Sequence, residues 1–264
     1  MIAIAGHTGR VTLQAVQSLL QVCLLMVNTF VWTVAAPLRG RGFRTRYAIQ
    51  QFVEYGVNSL PIVTLICFLI GAIMAMQSSY QLSRFGAVHL VANLVSVSAM
   101  RELAVLMTAI IIAGRSGSAI TAEIGTMKVS EEIDALEVMG LNVNKFLIAP
   151  KFAAMLFAVP MVTIIAVLMM IAGGYAISVF VLGLDAVRYI EQTADALTAK
   201  DLVVGMTKSV FFAVVISWVG IYRGFQVMGG AESVGRQTTS SVVTSIFVII
   251  VLDMVFTVFF YFAF

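Results

Sequence analysis

The sequence predicts an all-α integral membrane protein built around five transmembrane helices. Three observations lead there. The chain is 61% apolar and only 11% charged, whereas a soluble domain carries about 25% charged residues. Its mean hydropathy is +1.02. Its apolar residues gather into stretches long enough to cross a bilayer, which needs about 20 residues per helix.

The elements follow in chain order. From Val11 to Leu38 there is no charge, yet Gln14, Gln17, Gln21 and Asn28 recur at helical spacing and make a polar stripe. A striped helix suits the interface better than the bilayer interior, so this segment is expected to be an interfacial helix. Next comes a basic cluster, Arg39, Arg41, Arg44 and Arg46. Apolar stretches at 57–80, 88–114, 152–182 and 242–264 are expected spans, and 202–222 is a fifth that carries Lys208. The 152–182 stretch exceeds a straight crossing, with Pro160 and the pair Gly173–Gly174 as natural kink points. The region is read as one membrane domain over 1–264, with an N-terminal part at 1–50 and a five-helix core at 57–264. No internal repeat is visible, and an odd number of spans argues against a two-repeat carrier.

Basic residues orient the chain. The Arg39–Arg46 cluster, then Lys128, Lys145 and Lys151, then Arg223 and Arg236 all fall on one side of a five-span path. That side is expected to be cytoplasmic. Segment 184–201 falls on the outer side, where Val187, Ile190, Ala194 and Leu197 share one face of a short surface helix. The N-terminus shows neither a signal peptide nor a transit-peptide pattern. The net charge of +3 comes without any long basic run, so nucleic acid is not an expected partner. Cys23 and Cys67 lie in apolar surroundings and read as small hydrophobes. His7 and His89 have no ligand-type neighbours in sequence, so no metal site is expected.

Four ionisable residues lie inside the predicted spans: Arg101, Glu102, Lys208 and Asp253. Each costs roughly 2.5–3.5 kcal/mol at mid-helix if unpaired. Two cations and two anions permit mutual neutralisation. Arg101 and Glu102 point about 100° apart on a helix, so each needs a partner elsewhere. Lys208 lies roughly 10 Å along its helix from Asp201, which makes Glu102–Lys208 a candidate pair. Asp253 is a second candidate for either cation. The set reads either as an ion-pair network that fixes packing or as the polar lining of a substrate path.

Two further patterns stand out. Gly114, Gly117, Ser118, Gly220 and Gly224 offer small-residue faces, for packing within one subunit or against a second copy. The segment Ser130–Gly140 reads as a short acidic helix. Ser130 is its expected N-cap, Glu131 and Glu132 favour its positive end, and Gly140 closes it in a left-handed conformation. Val129, Ile133 and Leu136 form an apolar stripe beside an acidic face of Glu131, Asp134 and Glu137. This is either a solvated loop helix or a docking surface. There is no phosphate-binding G-x-x-x-x-G-K-[ST] loop, so the chain is not expected to be an enzyme.

The run Arg101-Glu102-Leu103-Ala104, then Ala113 through Val129, then Glu132 through Gly140 resembles the MlaE (YrbE) family. These are permease subunits of ABC transporters that carry phospholipid. Lys208-Ser209-Val210 and Leu252-Asp253 fit as well. One departure is Val105, where many members have proline.

The resemblance implies a homodimer with an N-terminal interfacial helix and five spans per subunit, in a bacterial inner (cytoplasmic) membrane. It implies that 130–140 is a cytoplasmic coupling helix seated on an ABC ATPase subunit, with Glu131, Glu132, Ile133, Asp134, Leu136, Glu137, Met139 and Gly140 as its contact set. An MCE-domain lipid-binding protein would sit outside, and a STAS-domain protein would bind the ATPase. ATP and Mg would be used by that ATPase, with no cofactor in this chain. Phospholipid would occupy a cavity between two permease subunits, near Arg101, Glu102, Lys208 and Asp253. The rival expectations are a stand-alone channel or ion-coupled carrier using Glu102 and Asp253, and a scaffold that transports nothing.

Overall fold

The computed structural model describes residues 44–263, together with Thr29 and Thr33. Those two threonines aside, the interfacial helix expected over 11–38 lies outside the described residues, as do His7, Cys23, Arg39 and Arg41. The described residues are mostly helical, with no strand among them. Five helices are long and apolar enough to cross a membrane: α1 (Thr45–Ser83), α2 (Val88–Val129), α4 (Asn144–Phe180), α6 (Ala199–Phe225) and α7 (Ala231–Ala263). Two short helices join them, α3 (Glu132–Val138) and α5 (Ala186–Ala196).

Several helices outrun their apolar cores. α1 begins as an amphipathic segment and breaks at Gly56 in a tight turn over Val57–Ser59. It resumes as an apolar helix at Leu60, with Pro61 in the first turn, where a missing N–H costs little. α2 spans 42 residues, about 60 Å at 1.5 Å per residue and twice the ~30 Å hydrocarbon core. It continues past the expected stop at Gly114 because Arg115 finds partners. Its guanidinium donates to the Glu54 carbonyl at 2.8 Å and Ser59 Oγ at 2.9 Å, and pairs with the Glu54 carboxylate at 3.2 Å. These contacts tie α2 to the break in α1.

α4 is the most enclosed span and α7 the least, with 56% and 11% of their most apolar windows buried. α4 runs unbroken through Pro160 and Gly173–Gly174. The glycines serve close packing. A Cβ on Gly173 would lie 1.9 Å from the Phe68 carbonyl oxygen, and one on Gly71 would lie 1.8 Å from that of Met170. Each helix thus gives up a side chain so that the two backbones can touch. α6 does the same against α2. Gly220 faces the Gly117 carbonyl, and Gly224 faces Ile124 and the Thr121 carbonyl. Of the predicted small residues, Gly117, Gly220 and Gly224 therefore pack within the chain, while Gly114 is exposed with open space around it.

α5 lies at the opposite end from α3. Asp185 caps its start by accepting from Arg188 N at 2.8 Å. Tyr189 anchors it, buried over Gly174, where a Cβ would meet the phenol oxygen at 2.8 Å. Burial pushes this phenol up to about 12. Of the predicted stripe, Val187, Ile190 and Ala194 are exposed and Leu197 is half-buried, and Ile190 and Ala194 line an apolar groove against Leu168 and Tyr175 of α4.

Candidate functional site

The charged residues form two clusters at opposite ends of α2. Near the outer end, α2 widens into a π turn over Ala99–Leu103, which contains both Arg101 and Glu102. Such turns recur at functional sites. α6 sits directly against this turn because Gly205 has no side chain; a Cβ there would lie 2.2 Å from the Met100 carbonyl. Lys208, nearly one turn further along, is thereby brought to Glu102 and bonds it. Lys208 Nζ also donates to Asp253 Oδ1 at 2.9 Å and Thr257 Oγ1 at 2.9 Å. Thr257 in turn donates to Glu102 Oε1 at 3.0 Å. One buried ammonium thus joins α2, α6 and α7.

Arg101 points elsewhere, as its position on the helix requires, and pairs with Asp201 Oδ1 at 3.5 Å. Asp201 also accepts from Thr198 N at 2.9 Å and Thr198 Oγ1 at 2.7 Å, so the same carboxylate fixes the start of α6. The expected Glu102–Lys208 pair is present, and Asp253 joins Lys208 rather than Arg101. Sequence reasoning missed Asp201 and Thr257 as partners. Asp201 lies seven residues before Lys208 and Thr257 four after Asp253, both spacings that share a helix face.

The outer cluster is partly open. Lys208 is fully buried, but the Glu102 and Arg101 side chains keep 35% and 37% of their exposure. Next to Arg101 lies a cavity of about 460 Å³ lined by Val97, Lys200, Asp201, Phe260 and Tyr261 among others. Apolar and charged groups meet in one opening, which is the pairing an amphiphile requires.

The second cluster lies near the inner end. Lys151, expected in a loop, is instead wholly buried in the first turns of α4. It pairs with Glu123 of α2. It also donates to Gln51 Oε1 at 3.1 Å and Tyr55 Oη at 3.3 Å, both on α1. Tyr47 Oη donates to Glu123 Oε1 at 3.2 Å. Helix α4 starts before the apolar run does, and the lysine's three partners, Glu123, Gln51 and Tyr55, are what let it go inside.

Between α2 and α4 sits α3. Its cap differs from expectation. Ser130 Oγ bonds back to the Thr126 carbonyl at 2.8 Å, and Glu131 takes the N-cap position in a left-handed conformation, φ 59°. The serine can satisfy α2 instead, and the chain needs a sharp reversal at that point. The C-terminus forms as predicted. Gly140 is left-handed, its N–H reaches the Glu137 carbonyl, and Leu141 N reaches the Leu136 carbonyl at 3.0 Å. Ile133 is buried and Leu136 half-buried, whereas Val129 is exposed and drops out of the stripe. Glu131, Glu132, Asp134 and Glu137 face solvent. Beside them Val138 is 88% and Met139 64% exposed. The loop thus presents an apolar tip in an acidic rim. Nearby, Lys128 Nζ donates to the Phe225 carbonyl at the end of α6, which brings the predicted cytoplasmic loops to one end.

Comparison with known proteins decides the family. The profile described as "Permease MlaE" matches residues 48–259. The chain belongs to the MlaE permease family. A "Probable ABC transporter permease protein" of Rickettsia bellii is 32% identical over 99% of both chains. The "Intermembrane phospholipid transport system permease protein MlaE" of Haemophilus influenzae is 34% identical over 79% of this chain and 80% of its own. A "Probable ABC transporter permease protein slr1045" of Synechocystis is 32% identical over 81% of each. As an MlaE permease, the chain is a multi-pass membrane protein. Its matched region takes in both charged clusters and α3.

Proposed function

We propose that this MlaE permease is the membrane subunit of an ATP-driven phospholipid transporter in a bacterial inner membrane. The observation that carries the reading is the outer opening, where a part-exposed Arg101 stands beside Val97, Phe260 and Tyr261, with the Glu102–Lys208 pair set behind it from the same π turn. Charge within a span is costly and tends to be kept for function. A lipid would lay its tails on the apolar surface and set its headgroup near Arg101; Lys208, expected as an alternative, is buried with its three N–H groups taken by Glu102, Asp253 and Thr257. The Haemophilus relative, named as an intermembrane phospholipid transport permease, supports this cargo.

The working unit is a homodimer. α7, with Phe247, Met254 and Val258 exposed, is the least covered span and borders the Lys208 cluster. A second copy set there would close the opening into a cavity between subunits. α3 docks on a separate ABC ATPase, which uses ATP and Mg, and an MCE-domain protein covers the outer face. A STAS-domain protein binds the ATPase. ATP turnover would move α3 and change the width of the cavity.

Reconstitution with the ATPase tests the proposal. Lipid movement should need both proteins and ATP. M139D together with E137K should cut ATPase association about tenfold, a coupling of ordinary size, and should leave the permease fold intact because both residues are exposed. Transport by the chain alone would instead favour a channel or ion-coupled carrier. Full ATPase association by the variant would end the docking claim.

A further inference from the structure

Nothing in lipid binding or ATPase docking requires a buried lysine at the inner end of α4. A methionine would fill the same space, and replacing buried ion pairs with apolar groups often costs nothing. The position of Lys151 suggests what it does. Glu123 lies six residues before the end of α2 and Lys151 seven after the start of α4, each about 10 Å from the loop that carries α3. Their ion pair therefore joins the two legs of that loop just above its base. Gln51 and Tyr55, on the same ammonium, and Tyr47, on the same carboxylate, add α1 to the joint. Arg44, stacked on Phe146 at 3.8 Å, joins the start of α1 to the start of α4 once more.

The surroundings of α3 make this joint matter. α3 is seated by Ile133 and Leu136. Behind it lies a cavity of about 570 Å³ whose walls include Tyr47, Glu123, Glu132, Leu136, Met139 and Phe146. The loop thus has room to flex at its left-handed hinges, Glu131 and Gly140. A push absorbed by that flexing would never reach the membrane.

We infer that the Lys151–Glu123 pair is a positioning clamp. It makes the inner ends of α1, α2 and α4 one body, so that force on α3 displaces all three helices and passes along α2 to the Glu102–Lys208 cluster. Neither residue lines the outer opening or lies on α3. The inference rests on the reading of α3 as the ATPase dock.

The test uses the full permease–ATPase complex in liposomes, with lipid moved per ATP hydrolysed as the readout. K151M and E123Q should keep ATPase association and hydrolysis but lower lipid moved per ATP by about tenfold, a typical coupling effect. The exchanged pair K151E/E123K should restore most of the ratio. Where a single variant assembles poorly, E123C/K151C in a background without Cys23 and Cys67 decides. Its ratio should be low with free thiols and recover once a short thiol-bridging reagent joins the legs. An unchanged ratio in assembled K151M, or a bridged form that stays low, would overturn the clamp. Loss of the docking reading would show separately, as M139D/E137K that still holds the ATPase.

Discussion

Near each end of α2 a glutamate meets a fully buried lysine from a neighbouring helix, yet the two sites are built differently. Lys208 faces two carboxylates, Glu102 and Asp253, and a hydroxyl, Thr257. Lys151 faces one carboxylate and dresses the rest of its ammonium with a neutral amide and a phenol. The outer cluster is formally anionic and opens beside an apolar surface. The inner one is formally neutral and joins helices on either side of an exposed loop. One cluster suits contact with a cargo, the other suits holding parts in register. α2 is the element they share: its π turn at Ala99–Leu103 carries Glu102 of the outer cluster, and its π turn at Ala113–Gly117 falls between the two.

Removing one charge at each site breaks or sharpens this contrast. The largest effect belongs to Lys208→Met, which strands two carboxylates together. Loss of one partner from a buried pair costs about 3–5 kcal/mol, so thermal unfolding of the purified permease should show a drop of that order, with transport lost. Lys151→Met strands only Glu123, which already reaches the inner cavity. Its stability loss should be smaller, about 1.5–3 kcal/mol for charged hydrogen bonds, while its effect on lipid moved per ATP is the larger signature. If the two variants lose equal stability, the difference in design disappears. Smallest is Arg101→Gln. The Arg101–Asp201 pair is more than a third exposed on the arginine side, and such pairs contribute about 1 kcal/mol or less. Melting should hardly move while transport falls. Unchanged transport would remove Arg101 from the headgroup site.

Much of this was legible in the sequence, and the illegible parts share a cause. Apolar length revealed five spans because bilayer thickness sets a minimum. It did not reveal where the helices end, because α2 and α4 continue beyond the apolar run on polar contacts such as Arg115–Glu54 and Lys151–Glu123. Lys151 looked like a loop cation because a charge bordering an apolar run is the usual mark of a span's end. Its partner lies on another helix, and only packing joins them. The same holds for Gly71 and Gly205. A glycine in a membrane helix is common, but its purpose is the distance to one carbonyl on a neighbour. Glu102–Lys208 was accessible because charge balance and depth left few alternatives. Ser130 misled because a serine before two glutamates is a sound capping signal until the preceding helix claims its hydroxyl.

The central claim is that the outer opening holds phospholipid during an ATP-driven cycle. A photoreactive residue in place of Val97, which lines that opening, tests it against one in place of Phe157, an exposed residue on α4. The complex is purified in detergent, illuminated before and during ATP hydrolysis, and examined by mass spectrometry for phospholipid adducts. The account predicts an adduct at position 97 that diminishes on hydrolysis, and little at position 157 in either state. Equal labelling at both positions, unmoved by ATP, would contradict it.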